Sequence, residues 1–378
     1  MSTEDYTKLI PWGWNGHWSA QLDNAGRQDL RPARVVRQTH HTYNLVAAPD
    51  GDELRSTVAG SFEYRVASPA DFPTVGDWVL IDAESGRIQQ LLPRRSCLSR
   101  TAAGRQTVEQ VIVANVDLLL LVFGLDGGRN FTAGLLERSL VTAWNAGARP
   151  IILLNKADTA DADYIEKTRS EAESVAPGVS VLVVSARRGD GITAVLGEGG
   201  AGQTIGLLGK SGVGKSALLN AFYRTSAATA APSGNSEGPS HSPPAREGTQ
   251  RHGDNQGRHT TTNKQLYRLP SGALVADVPG LRELQIWGEE DALDAAFPEI
   301  EALSWECRFN DCTHSDEPGC RIQNALASGE LSAERYDRYI DYQKELAFLA
   351  RRRDAKAQAE ERQKWKRIAK ELRRQKKR

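Results

Sequence analysis

Between residues 33 and 92, hydrophobic and polar positions alternate in short runs. Ala33–Thr39, Tyr43–Ala48, Leu54–Val66, Asp77–Asp82 and Arg87–Leu92 are rich in β-branched and apolar residues, with turn signals at Asp50-Gly51 and Ser85-Gly86. Five short strands over about sixty residues predict a small barrel. Upstream, residues 1–30 have no clear period, yet Trp12, Trp14 and Trp18 lie there, so we expect a partly docked arm. Downstream the rhythm changes. Continuous apolar runs such as Val116–Phe123, Pro150–Leu154 and Thr204–Leu208 alternate with amphipathic stretches, the pattern of buried parallel strands joined by helices. Over residues 223–256 this pattern stops, and Ser, Gly, Pro and Asn dominate. With so little apolar surface to offset the entropy of ordering, the stretch reads as a disordered loop. From Ser332, a residue suited to capping a helix, Tyr336, Tyr339, Ile340, Leu346 and Ala350 follow helical spacing.

Several of the apolar runs end in residues with chemical meaning. Thr204–Leu208 leads into Gly209-Lys210-Ser211-Gly212-Val213-Gly214-Lys215-Ser216, followed by Ala217. Between a strand and a helix, a GxxxxGK[ST] loop turns its backbone amides towards phosphates; Lys215 reaches the outer phosphates and Ser216 offers a hydroxyl to Mg²⁺. Pro150–Leu154 ends in Asn155-Lys156-Ala157-Asp158. There the Asp158 carboxylate accepts from two adjacent N–H groups of guanine that adenine cannot offer, while Asn155 and Lys156 hold the base and the flanking loop. Ser185-Ala186 closes another apolar run, and Ala273–Ala276 runs into Asp277-Val278-Pro279-Gly280. In that last element Asp277 holds Mg²⁺ through water and the Gly280 amide meets a γ-phosphate. Together these elements imply a site for GTP and GDP as substrate and product. Their order is inverted relative to an ordinary GTPase, because the guanine element precedes the phosphate loop; Gly257-Arg258-His259-Thr260-Thr261-Thr262 and the Asp277 element come last. The chain is expected to be a circularly permuted GTPase.

Composition adds a metal and an asymmetry. Cys307, Cys312, His314 and Cys320 bring three thiolates and one imidazole into fourteen residues. This donor set suits one tetrahedral, structural Zn²⁺, with Pro318-Gly319 turning the chain back towards it. Cys97 is left over, and we expect it to be a buried spectator. With 378 residues, 39% of them hydrophobic, the chain has material for two or three packed domains. No apolar run is long enough to span a membrane and the first residues lack a signal peptide's pattern, so no membrane partner and a cytoplasmic location are expected. The formal net charge is zero, but residues 350–378 hold fourteen Lys/Arg against four Asp/Glu. That tail favours a polyanion, and Trp365 within it suits stacking on a base.

Beyond the nucleotide elements, Gly76-Asp77-Trp78-Val79, Leu98-Ser99-Arg100, the run Glu109–Asp117 (EQVIVANVD) and the cysteine cluster ending Glu317-Pro318-Gly319-Cys320 complete a set of motifs. Over roughly residues 31–348 the chain resembles the ribosome small-subunit biogenesis GTPase family known as RsgA or YjeQ. The resemblance implies a multidomain α/β plus β protein: an arm (1–30), an RNA-contacting OB-fold barrel (31–98), a circularly permuted P-loop GTPase domain with a parallel sheet and flanking helices (99–290), a zinc-knuckle helical domain (291–349) and a basic tail (350–378). It also implies a monomer that hydrolyses GTP during late small-subunit assembly, with the small ribosomal subunit and its rRNA as partners. Thr261 joins Ser216 as a magnesium ligand by the same resemblance, although Thr260 and Thr262 are alternatives. A glutamine is expected after Gly280 to orient water, yet Leu281 stands there. The resemblance points to His259 for that role, and the missing glutamine leaves open a second reading, a GTP-binding RNA scaffold with negligible hydrolysis.

Overall fold

The computed structural model describes residues 3–27, 29–39, 41–101, 109–127, 130–229, 264–277, 291–309, 311–315, 317–348 and 350–351. These fall into two compact units, one drawn from residues 1–100 and 109–285, the other from residues 101–108 and 286–378.

The first unit opens with a 3-10 helix (Thr3–Trp12) and α1 (Gly16–Ala25), whose first turn is capped by the Asn15 side chain accepting from the His17 amide. Five strands follow: β1 (Leu30–Thr39), β2 (Thr42–Ala47), β3 (Glu53–Ser56), β4 (Trp78–Asp82) and β5 (Ile88–Leu91). β1 pairs with β2 and β4, β2 with β3, and β4 with β5, all antiparallel; a parallel bridge from Val58 to Ile88 closes the ring. Alternate residues including Ala33, Val35, Leu45, Val79 and Ile81 fill the interior, giving the five-stranded OB arrangement. The run expected as one strand over Leu54–Val66 breaks after Ser56 and becomes α2 (Gly60–Arg65). The burial pattern explains the break. Phe62 is buried, whereas Tyr64, which a strand would have put on the same face, is 92% exposed.

After a two-stranded ribbon of β6 (Cys97–Thr101) and β7 (Glu109–Ala114) comes the α/β domain. Its strands are β8 (Leu118–Gly124), β9 (Arg149–Asn155), β10 (Val181–Val183), β11 (Thr204–Leu208), β12 (Lys264–Arg268) and β13 (Leu274–Asp277). They lie in the order β10-β9-β8-β11-β13-β12, parallel except for β12. Every residue of β8 is buried, as a central parallel strand covered on both faces requires. Helices α3 (Ala133–Asn145), α4 (Ala162–Val175), α5 (Ile192–Gly197) and α6 (Lys215–Thr229) cover the sheet, with Leu218, Leu219 and Phe222 of α6 packed into the same core as Leu120, Leu153 and Val275. Although β11 follows β8, β9 and β10 in the chain, it sits between β8 and β13 in the middle of the sheet. That is the permutation in three dimensions.

Barrel and α/β sheet are continuous: β1 carries an irregularity between Val35 and Arg37, and beyond it Arg37 and Gln38 pair with Gln265 and Lys264 of β12. The arm is fastened to the same region. Trp14 meets Trp78 edge-on at 4.9 Å, and Trp18 lies 5.9 Å from it. Arg34 of β1, only 2% exposed, lies over the Trp78 ring and donates to the Trp12 carbonyl and to Thr204 Oγ1 at 2.8 Å. One buried guanidinium thus ties arm, barrel and the first residue of β11 together.

In the second unit, α7 (Asp291–Ala296), α8 (Pro298–Trp305), α9 (Arg321–Ser328) and a helical run over 333–348 surround Phe297, which is fully buried. Tyr339 and Tyr342 pack on that ring, and Arg335 lies over it at 4.8 Å while pairing with Glu299. In the helix that begins just after Ser332, Leu346 is buried and Tyr336, Tyr339 and Ile340 are half-buried, as read from the spacing, whereas Ala350 is exposed and Tyr342, not among them, is buried. Among the described residues, no helix is long and apolar enough to cross a membrane.

Candidate nucleotide site and metal centre

The phosphate loop leaves the end of β11, the central strand, and feeds directly into α6 at Lys215. Ligand loops of α/β sheets belong at this end. Val213 is buried and anchors the loop, while Lys210, Ser211 and Ser216 are exposed. Gly214 has φ +99°, and a Cβ there would lie 2.4 Å from Asn155 Nδ2, so only glycine admits the contact that follows. The Lys215 ammonium folds back on the loop, donating to the Gly209 carbonyl and to Lys210 O at 2.8 Å.

Asn155, at the end of β9, is 1% exposed. Its Nδ2 donates to Val213 O at 2.8 Å, and its Oδ1 accepts from the Ala186 amide at 3.1 Å. Through these two bonds the residue joins the phosphate loop to the Ser185-Ala186 loop, with one further bond open to each polar end. Lys156 adopts a left-handed conformation and pairs with Asp126 at the end of β8, which also accepts from Asn130 at 2.6 Å. Asp126 was not singled out from the sequence. Its position just past an apolar run, one strand away from the guanine element, was the available signal. Ser185 Oγ donates to Asp158 Oδ1 at 2.7 Å, and this bond holds the Asp158 carboxyl below the usual carboxylate range. Asp158 is thereby kept ionised and aimed by a neighbour rather than by burial.

Asp277 ends β13, paired in register with Gln265 and within electrostatic reach of Lys215. The described part of the site thus brings together Asn155, Lys156, Asp158, Ser185, Ala186, the loop from Gly209 to Ala217, and Asp277 at one end of one sheet. His259, Thr261, Gly280 and Leu281 lie outside the described residues, as do the stretch expected to be a disordered loop (apart from residues 223–229 at its start, which belong to α6) and the tail beyond residue 351. The residues at that start, Tyr223–Thr229, are helical rather than loop.

The sequence profile of the family described as RsgA GTPase matches residues 91–287, more than half of the chain. The chain belongs to that family. Relatives named Small ribosomal subunit biogenesis GTPase RsgA from Opitutus terrae and Syntrophotalea carbinolica are each 38% identical, with 94% of this chain and 94% of the relative covered. A crystal structure of YjeQ from Thermotoga maritima superposes with a TM-score of 0.60 at 27% identity, covering 84% of this chain and 99% of that one. The circularly permuted GTPase YloQ, 24% identical with a TM-score of 0.57, shares the fold. As a member of the RsgA GTPase family the chain is a hydrolase acting on GTP, and the strand order described above is the family's permuted domain.

In the second unit, Cys307, Cys312, His314 and Cys320 present ligand atoms that all lie within 4.8 Å of one another. His314 Nδ1 is 3.6 Å from Cys307 Sγ and 3.6 Å from Cys320 Sγ. A tetrahedral zinc bound at about 2.0–2.3 Å sets its ligands roughly 3.5–3.8 Å apart, so the spacing fits. Two backbone amides are aimed at the sulfurs: those of Arg321 and Gln323 donate to Cys307 Sγ and Cys320 Sγ, each at 3.4 Å. Gln323 Nε2 holds the His314 carbonyl at 2.6 Å, supporting the left-handed turn at His314. Glu317 fixes the connecting loop through the Thr313 and Ser315 amides. Cys97 stands apart in β6, partly buried, and burial raises its thiol pKa.

Proposed function

We propose that this GTPase binds the small ribosomal subunit and hydrolyses GTP to GDP and phosphate during a late step of subunit assembly, as a cytoplasmic monomer. The observation that carries the reading is the convergence of the phosphate loop, the guanine element and Asp277 at one end of the sheet in a chain whose relatives bear that subunit in their name. In this reading the loop amides from Gly209 to Ala217 cradle the phosphates and Lys215 neutralises charge on the outer oxygens. Asp158 selects guanine, with Lys156, Ser185 and Ala186 shaping the base pocket and Asn155 fixing its distance from the phosphates. Ser216 and Thr261 would hold Mg²⁺, with Asp277 behind it; bound there, the ion supplies charge neutralisation on the phosphate oxygens. The Gly280 amide meets the γ-phosphate, and His259 orients the attacking water in place of the absent glutamine. The barrel contacts rRNA. Co-sedimentation with purified small and large subunits in GTP, in GDP and in a non-hydrolysable analogue tests the reading: it requires nucleotide-dependent binding to the small subunit, and binding to neither subunit, or equally to both, overturns it.

Zinc belongs to the same proposal. Metal analysis should give about one zinc per chain, and Cys312→Ser or chelation should remove it together with helicity from the second unit, because a small domain around a four-ligand site draws its folding energy from the metal. Zinc-free protein that keeps its full helical signal contradicts this assignment.

The tail supplies a further expected result. Deleting residues 350–378 should weaken subunit binding and flatten its salt dependence while leaving GTP affinity unchanged, since each phosphate neutralised contributes roughly 0.7–0.9 to the slope of log affinity against log salt. Binding isotherms at several salt concentrations read this directly. Equal slopes with and without the tail assign the charge run to solvent.

A further inference from the structure

Strands β8, β9 and β11 run parallel, so their first residues lie at the end of the sheet opposite Asn155 and the phosphate loop. A cavity of about 400 Å³ sits there, bordered by Asp117 just before β8 and by Arg149, which opens β9. Its volume is that of a small-molecule site. Trp14 and Trp18 of the arm line it too, as does Asn115 of the run Glu109–Asp117, which takes no part in the nucleotide site.

Three guanidiniums reach this cavity from separate segments: Arg34 from β1, Arg95 from the connection between β5 and β6, and Arg149 from β9. Asn115, in a left-handed conformation, accepts from the Arg95 amide at 2.9 Å and so fixes where that side chain departs. Arg95 and Arg149 are half-exposed, and Arg149 is answered by Glu198, whose Oε2 lies at 3.0 Å and whose carbonyl lies at 2.9 Å. Arg34 has no such answer. It bonds neutral oxygens, those of Trp12, of Thr204 at 2.8 Å and of Asn115 at 3.5 Å, and its Nε has no hydrogen-bond partner among the described residues. Burial pulls its pKa down to about 10 against the attraction of Asp117 and Asp77. Both carboxylates are committed elsewhere. Asp77 is clamped by two bonds from Arg94 at 2.8 Å, while Asp117 accepts from the Thr204 amide at 2.7 Å and lies 3.6 Å from Arg95. A buried charge is costly unless a counter-charge meets it, and here Arg34, Arg95 and Arg149 outnumber Asp117 and Glu198.

We propose that this cavity binds a small molecule through a phosphate group, which meets the Arg34 charge and the forks of Arg95 and Arg149. A phosphate carries close to two negative charges near neutral pH and accepts several N–H bonds at once, so it suits guanidiniums converging from separate segments. The rings of Trp14 and Trp18 offer an apolar flank to the organic body. Because arm, barrel strand and α/β sheet all contribute to the lining, occupancy fastens the arm at the end of the sheet remote from GTP.

The test titrates inorganic phosphate into full-length protein saturated with GDP and Mg²⁺, which keeps the phosphate loop occupied. Tryptophan fluorescence is followed, since Trp14 and Trp18 line the cavity, and sodium chloride at matched ionic strength is the blank. The wild type should give a saturable change at millimolar phosphate that chloride does not reproduce. Arg95→Gln and Arg149→Gln should each raise the half-saturating concentration about tenfold, the factor expected for one charge-assisted hydrogen bond. Their GTP turnover should stay within about twofold of wild type, because both lie at the far end of the sheet from the nucleotide. Arg34→Met should abolish the response; if it fails to fold, the two half-exposed arginines decide. Ribose 5-phosphate should bind at least as tightly as inorganic phosphate, given the room beyond the phosphate itself. No response beyond that of chloride, or an unchanged midpoint in both Arg95→Gln and Arg149→Gln, overturns the site; clearly weaker binding of ribose 5-phosphate overturns its assignment to a phosphorylated small molecule.

Discussion

Replacing Lys215 with alanine is expected to lower GTP turnover by about a thousandfold, the largest effect of any single substitution in this chain. Preorganised positive charge at the transferring phosphoryl group is worth roughly 3–4 kcal/mol where it is aimed before the reaction begins. Here it is aimed in advance: the ammonium already rests on the loop carbonyls of Gly209 and Lys210. Ser216→Ala, which removes the exposed hydroxyl in the first turn of α6, should produce a comparable loss at limiting Mg²⁺ and a smaller one at high Mg²⁺. Single-turnover release of γ-phosphate under saturating nucleotide separates this from weaker binding. Turnover within about tenfold of wild type in Lys215→Ala would remove the phosphate loop from the catalytic account.

Asp158→Asn is expected to reverse base preference, weakening GTP by about a hundredfold or more and admitting xanthosine triphosphate, because a site built to accept two N–H groups rejects a base that cannot be paired in the same way. The amide offers one acceptor and one donor, which matches the extra carbonyl of xanthine. Ser185 is the second half of this prediction. Its hydroxyl aims the carboxylate, so Ser185→Ala should weaken GTP without admitting xanthosine triphosphate. Since that bond holds the Asp158 carboxyl below the usual range, its charge and the guanine preference should persist through neutral pH and fail only on acidification below the ordinary carboxylate range. Competition binding with the two triphosphates and ATP measures the wild type and both variants. Unchanged selectivity in Asp158→Asn would place the base elsewhere.

Much of the fold was legible because its signals are local. β8 and β11 read as continuous apolar runs since both faces of a central parallel strand are covered, and the residues that follow them carry the nucleotide chemistry within a few positions. The cysteine cluster was equally readable, since all four ligands fall in one short stretch. What escaped notice depends on contacts between residues far apart in the chain. That Asn155 also struts the phosphate loop shows only in its distant partners Val213 and Ala186; Arg34 looks like a surface position of a barrel strand until Thr204, 170 residues away, takes its guanidinium. The pairing of β1 with β12 has no local signature either, because two residue pairs leave no periodicity to detect. The strand expected over Leu54–Val66 fails for a different reason: over a short run, one buried residue such as Phe62 is compatible with either period, and only the exposure of Tyr64 separates them.

The initial rate of GTP hydrolysis, titrated with purified small ribosomal subunits and in parallel with large ones, tests the central claim most directly. With Leu281 where a water-orienting glutamine is expected, the unstimulated rate should be slow, and small subunits should raise it to a plateau about a hundredfold higher while large subunits leave it unchanged. A rate indifferent to small subunits, or raised as much by large ones, would contradict the account.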